Sequence, residues 1–449
     1  MPSSAISAEF RPLLKLAIPL VLGELGWMTM GIVDTMMTGR LSKEAMGAVS
    51  VGGILFYAVA VFGMGLMYGL DALVSQAFGA RRIQDCHHSL INAVYLAVGV
   101  TPPLMALQWM LVPLMGRFGI HADVLREAGP YLYAITWSTL PLMLYSAFRR
   151  YLQSMDLVQA VMFSLISANL VNAFVNWLLI FGNWGLPEMR AAGAGWATTI
   201  SRVYMAGVMI AYAIWHSRKY KTGLLAARIE PDGKRMREIL SLGLPAASQI
   251  VLEVGVFAVA TTMIGKLDPV WLAAHQVALS AASYSFMIPL GLGSAAAVRV
   301  GQAIGAGRPQ SARNAGWAAI VLGVAFMGCA GVLFLMVPRA IGRVFTTDVG
   351  VIEAGVVLLA LAAVFQLFDG AQGVTTGALR GAGNTRIAAI AHFTGYWIIG
   401  LPMGYLLCFN AGWGAAGLWA GLSLALIVIG IVLIGVWSRV QLAQAAALR

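Results

Sequence analysis

The sequence predicts an all-α polytopic membrane protein, with twelve transmembrane helices in two six-helix bundles related by a pseudo-two-fold axis along the membrane normal. Three observations lead there: an apolar composition, a train of apolar runs of span length, and a repeat of the first half in the second. Hydrophobic residues make up 60% of the 449 and charged residues only 10%, where soluble domains carry about 25% charged residues. Such a chain has too little polar surface to cover a globule in water, so its outer face must meet lipid. Its 51 glycines against 16 prolines suit helices whose backbones approach closely within a bilayer.

In chain order the apolar runs place spans at 13–38, 46–72, 90–115, 129–150, 159–182 and 192–216, then at 238–264, 272–298, 314–338, 352–377, 387–409 and 414–437. Each exceeds the ~20 residues a helix needs to cross a bilayer core, and segments alternating in the manner of a membrane barrel are absent. Residues 1–216 thus read as an N-terminal six-helix lobe and 238–449 as a C-terminal one. Between them, 217–237 is the most polar stretch, with Ser217-Arg-Lys-Tyr-Lys221, Arg228 and Lys234-Arg-Met-Arg237, and reads as a cytoplasmic linker.

The net charge of +11 follows the positive-inside rule rather than a nucleic-acid partner. With both termini and the linker in the cytoplasm, inner segments hold 20 Lys and Arg and outer loops hold 8, Arg202 lying inside a span. That asymmetry fixes the orientation and points to a multi-pass protein of the cytoplasmic (inner) membrane. The first apolar run is far longer than a signal peptide's core, so it reads as an uncleaved span. Cys86, Cys329 and Cys408 fit no metal or redox spacing. Walker A, HExxH and GxSxG patterns are missing. The chain is therefore not expected to be an enzyme or to use a cofactor, and an ion gradient is its expected energy source.

The repeat appears on sliding the chain by 226 residues. Pro19 then falls on Pro245, Thr35 on Thr261, Gly39 on Gly265 and Gly65 on Gly291, while Gln76-Ala-Phe-Gly-Ala80 falls on Gln302-Ala-Ile-Gly-Ala306. Each repeat has an even number of spans, so the halves share one orientation. Two parallel bundles are the plan of many alternating-access transporters.

Three acids interrupt this apolar background. Burying a charge at the bilayer centre costs ~2.5–3.5 kcal/mol even on the lenient insertion scale, so Asp34, Glu253 and Asp369 are candidate coupling residues. Glu253 lies roughly 18 Å from the outer end of its span and Asp369 roughly 16 Å from the inner end, with Asp34 shallower. The repeat does not mirror them: Asp34 lands on Ala260 and Glu253 on Trp27, and Asp369, with the slightly different offset that matches Leu152 to Leu379, falls opposite Leu142. The scaffold is symmetric and the acids are not; acids kept for packing would be expected to be mirrored, whereas coupling chemistry can live in one half. Pairing with a buried Arg or a Ser/Thr/Asn network is the alternative for each. Glu24 and Asp71 fit that structural reading better. Asn172 and Asn176 share a helix face and can complete a network with Asp34 or serve as polar glue. Tyr284 and Phe286 can offer π faces to a cation or simply pack.

With these residues in hand the chain resembles the multidrug and toxic compound extrusion (MATE) family, in its NorM-like branch. The matching segments are Ile32-Val-Asp34-Thr-Met-Met-Thr-Gly-Arg-Leu41, Val74-Ser-Gln-Ala-Phe-Gly-Ala80, Ala274-His-Gln-Val277, Val300-Gly-Gln-Ala-Ile-Gly-Ala-Gly307 and Leu379-Arg-Gly-Ala-Gly-Asn384. The resemblance implies cation-coupled export of amphipathic, often cationic, organic compounds, and hence antibiotic resistance. It also implies that Glu253 and Asp369 belong to a C-lobe cation site able to take Na⁺ or H⁺, and that Asp34 is the N-lobe acid. Asn172, Asn176 and Phe286 match further positions of interest. A lipid-linked-oligosaccharide flippase of the same superfamily is the alternative reading. Its cavity would be more basic than these acids suggest. The expected partners are the bilayer and small amphipathic substrates, with the protein acting as a monomer.

Overall fold

The computed structural model describes residues 3–118 and 121–440, and all regular structure among them is helical. The carboxy-terminal stretch 441–449, which the charge count assigns to the cytoplasm, lies outside the described residues. The first half holds α1 (Ser3–Gly39), α2 (Lys43–Leu66), α3 (Gly69–Gly79), α4 (Ile83–Leu114), α5 (Ala122–Thr136), α6 (Thr139–Ser154), α7 (Val158–Ile180) and α8 (Arg190–Tyr220). The second holds α9 (Gly233–Ile264), α10 (Pro269–Gly305), α11 (Pro309–Met336), α12 (Pro338–Phe345), α13 (Val349–Gly381), α14 (Thr385–His392), α15 (Leu401–Tyr405) and α16 (Ala415–Arg439).

Eleven helical stretches among the described residues are long and apolar enough to cross a membrane. The span expected at 129–150 is divided instead between α5 and α6 at Trp137–Ser138. Pro141 explains the break: it has no N–H for the carbonyl of Trp137, so the α ladder lapses there. The Ser138 N–H turns to Ile135 O at 3.0 Å, and Arg202 Nη1 donates to Ser138 Oγ at 2.6 Å. A second irregularity lies at 385–410, where π-helical Phe393–Gly400 and Leu406–Asn410 join α14 and α15 into one continuous stretch. The Leu401 N–H reaches back five residues to Tyr396 O, and Pro402 again withholds a donor, so the helix widens.

The described residues cluster into two compact units, and the division runs inside two helices. One unit is 22–247; the other combines 1–21 with 248–449. The start of α1 therefore packs with the second half, and the start of α9 with the first. The same contact secures both exchanges. A Cβ added at Gly65 would lie 2.5 Å from Ala247 Cα, and one at Gly291 would lie 2.9 Å from Val21 Cα. No side chain larger than hydrogen fits at either crossing.

The polar segment 217–237 is tied to α4 rather than loose. His87 Nε2 lies 2.9 Å from Thr222 O, Tyr95 Oη donates to Ile229 O at 2.6 Å, and the Asp232 N–H donates to Asn92 Oδ1 at 2.8 Å. Asp232 then caps α9, its Oδ1 accepting the Lys234 N–H at 2.8 Å. That backbone bond holds its exposed carboxyl below the usual carboxylate range.

Candidate functional site

Helical spacing assembles the first acid cluster, which lies wholly within the unit containing 248–449. On α9, Gln249 precedes Glu253 by four residues and Phe257 follows it by four, one stripe of the helix. On α13, Gln372 follows Asp369 by three. Gln249 Nε2 donates to Glu253 Oε2 at 2.9 Å, while Gln372 Nε2 spans the two acids, 3.3 Å from Glu253 Oε1 and 3.0 Å from Asp369 Oδ1. The structure thus brings Glu253 and Asp369 to the same amide nitrogen. A third wall comes from the end of α14. His392 Nε2 lies 2.9 Å from Gln372 Oε1 and 3.9 Å from Glu253 Oε2, and its Nδ1 is 2.8 Å from Ala388 O. Tyr396 lies beside His392 with the rings tilted and their centroids 5.8 Å apart, and its buried hydroxyl has no partner among the described residues.

Phe286 is half-buried on α10, and its ring fills the space beside Gly373 that a side chain would need. Tyr284 is also half-buried, but the described hydrogen bonds of the two acids go to Gln249 and Gln372. Among the described residues no group of three or more His, Cys, Asp or Glu side chains is placed to hold a metal ion. A Na⁺ at Glu253 and Asp369 would therefore draw further oxygens from amides, hydroxyls or backbone.

The second cluster lies within 22–247. Asp34 is buried, its Oδ1 accepting from Asn176 Nδ2 at 2.6 Å and its Oδ2 from Thr198 Oγ1 at 2.8 Å. Asn176 Nδ2 also donates to Asn172 Oδ1 at 3.0 Å, so both asparagines join the acid in one network. Arg202 stands within electrostatic reach of Asp34. Its guanidinium lies over Phe56, 4.5 Å from the ring centroid. In the same unit Glu24 pairs with Arg149, and Asp71 with Arg150 at 3.5 Å; Arg150 also lies over the Tyr68 ring.

Sequence reading found the acids and the asparagines but passed over Gln249, Gln372, Thr198 and His392. The first two carried a usable signal, an amide three or four residues from an intramembrane acid. His392 and Thr198 carried none, since only the fold brings them to their partners.

Comparison with known proteins bears on the whole chain. The probable multidrug resistance protein NorM of Mesorhizobium japonicum is 35% identical over 445 residues, covering 98% of this chain and 95% of its own. A probable NorM from Brucella suis is 34% identical over 436 residues, covering 95% of this chain and 92% of its own. Among solved structures, a eukaryotic MATE transporter superposes with a TM-score of 0.90 at 23% identity, over 99% of this chain and 98% of the other. An outward-facing multidrug resistance MATE family transporter gives 0.83 at 18% identity, over 97% and 96%. These structural likenesses establish the fold. The MatE family model matches residues 19–178 and again 245–406, starting points set apart by the repeat itself, and the chain belongs to the MatE family.

Proposed function

We propose that this multi-pass membrane protein exports amphipathic, often cationic, drugs and toxic compounds by alternating access, in exchange for Na⁺ or H⁺. The observation that carries the reading is the bridged acid pair. Glu253 and Asp369 are touched by two amides and an imidazole, not by the guanidinium groups that meet Glu24 and Asp71. Two carboxylates in a low-dielectric site cannot both stay charged cheaply, so the pair takes up a monovalent cation. Occupancy then lowers the cost of moving the site through apolar surroundings, and export is tied to the gradient because ion and substrate favour different states. The names of the NorM relatives support drugs as the substrate class, and the mainly acidic intramembrane charge supports cationic ones.

The same reading places the protein in the inner membrane as a monomer, with both termini and 217–237 cytoplasmic. Efflux of a lipophilic cationic dye should appear in inverted vesicles under an imposed sodium or proton gradient. Equal retention of dye with and without either gradient would sink the export reading. A cysteine placed at Lys221 should resist membrane-impermeant label added outside intact cells; labelling there would invert the topology.

A further inference from the structure

We propose that His392 is a positioning residue for the coupling site, acting through Gln372; this rests on the assignment of Glu253 and Asp369 to ion coupling made above. Among the described residues Gln372 is the one side chain that hydrogen-bonds both acids, and its two ends are chemically opposite. Its nitrogen faces the carboxylates, while its oxygen lies 2.9 Å from His392 Nε2. An amide exchanges these ends by turning about its last torsion, so whatever holds the far end decides which end an incoming cation meets.

His392 is built to do the holding. It is fully buried, and its ring packs against Tyr396. It is also the last residue of α14 before the helix widens into the π-helical turn, a distortion that recurs at functional sites. Both ring nitrogens face carbonyl oxygens, and a neutral imidazole carries a single hydrogen; in the tautomer with that hydrogen on Nε2 the ring donates to Gln372 Oε1, and the amide N–H groups are committed to the acids before any ion arrives. Were the ring absent, Gln372 would turn freely, and part of the binding energy would go into ordering it.

The test is antiport in proteoliposomes, reading the half-saturating Na⁺ concentration at fixed pH and the half-saturating proton concentration under a pH gradient. His392→Met should raise that value about tenfold for the driving ion, the loss expected for one buried hydrogen bond, with maximal rate retained. His392→Gln, whose amide can still reach Gln372, should recover most of the affinity. The decisive measurement is the double variant. If His392 acts through Gln372, His392→Met added to Gln372→Met should change half-saturation by less than about twofold. Multiplicative losses, or a fall in maximal rate at unchanged half-saturation, would overturn the proposal. Should His392→Met not accumulate, His392→Asn, too short to reach Gln372, is read by the same criteria. Wild-type efflux in both Glu253→Gln and Asp369→Asn would bring down the coupling assignment and this role together. Coupling lost in those two, with His392→Met at wild-type half-saturation, would bring down this role alone.

Discussion

The acids of the two units are neutralised in different ways. Within 22–247, Glu24 has Arg149 and Asp71 has Arg150, while Asp34 is held by Asn176 and Thr198. Within the other unit, Glu253 and Asp369 share Gln372 and stand beside His392. A carboxylate with a buried guanidinium partner already holds its counter-ion and gains little from importing one. Two carboxylates held by amides do not. The repeat supplied the same scaffold twice, and the placement of arginines gives Glu24 and Asp71 of one copy their own counter-ions, whereas under the proposed coupling the acid pair of the other takes its cation from outside.

The sharpest way to break this contrast is to remove the acids in turn. Glu253→Gln or Asp369→Asn should reduce gradient-driven efflux to the background of empty vesicles while leaving substrate binding measurable. Asp34→Asn should slow transport and leave a residue of it, since an asparagine can still bond Thr198 and Asn176. Full activity in both C-terminal variants, with Asp34→Asn inactive, would reverse the roles of the units. A second difference should appear in stability. Glu24→Ala leaves Arg149 buried without its partner, a loss of about 3–5 kcal/mol for a broken buried pair, visible as a lowered Tm in detergent. Glu253→Gln keeps an amide in an amide-lined pocket and should melt close to the wild type; equal losses would erase the distinction. The smallest effect belongs outside the spans. Asp232→Ala should speed amide exchange at Lys234 and Arg235 without altering efflux. Because that carboxyl is held below its ordinary range, the cap should be complete above about pH 4 and fade as pH falls further. Exchange at Lys234 that ignores pH would show that the cap bond is not formed in solution.

Hydropathy made most spans legible, because lipid demands long apolar runs whatever their packing. It could not show where a run breaks. The division at Trp137–Ser138 and the π-helical turns near Pro402 depend on single missing N–H groups and on what fills the gap, such as Arg202 at Ser138. Nor could it show that α1 and α9 change company part-way along, since both sides of that boundary are equally apolar. At the site, Asp34, Glu253 and Asp369 stood out because a charge in an apolar run is costly. Their partners are less conspicuous: Gln249 and Gln372 are legible only through their spacing from an acid, and Thr198 is cheap enough to occur in any span. His392 becomes meaningful only when α14 is laid beside α13.

The two unit boundaries, after Val21 and after Ala247, are separated by the same 226 residues as the repeat. Consider the ancestor that such a duplication implies, a chain of one repeat. Its first helix would begin in one compact body and end in another, so a lone copy could not complete its own core. It would exist as a domain-swapped dimer, each copy lending its opening segment to its partner. Joining two such copies through a segment like 217–237 would turn an exchange between molecules into one within a single chain. Assembly of the joined chain would no longer depend on how many copies a membrane held.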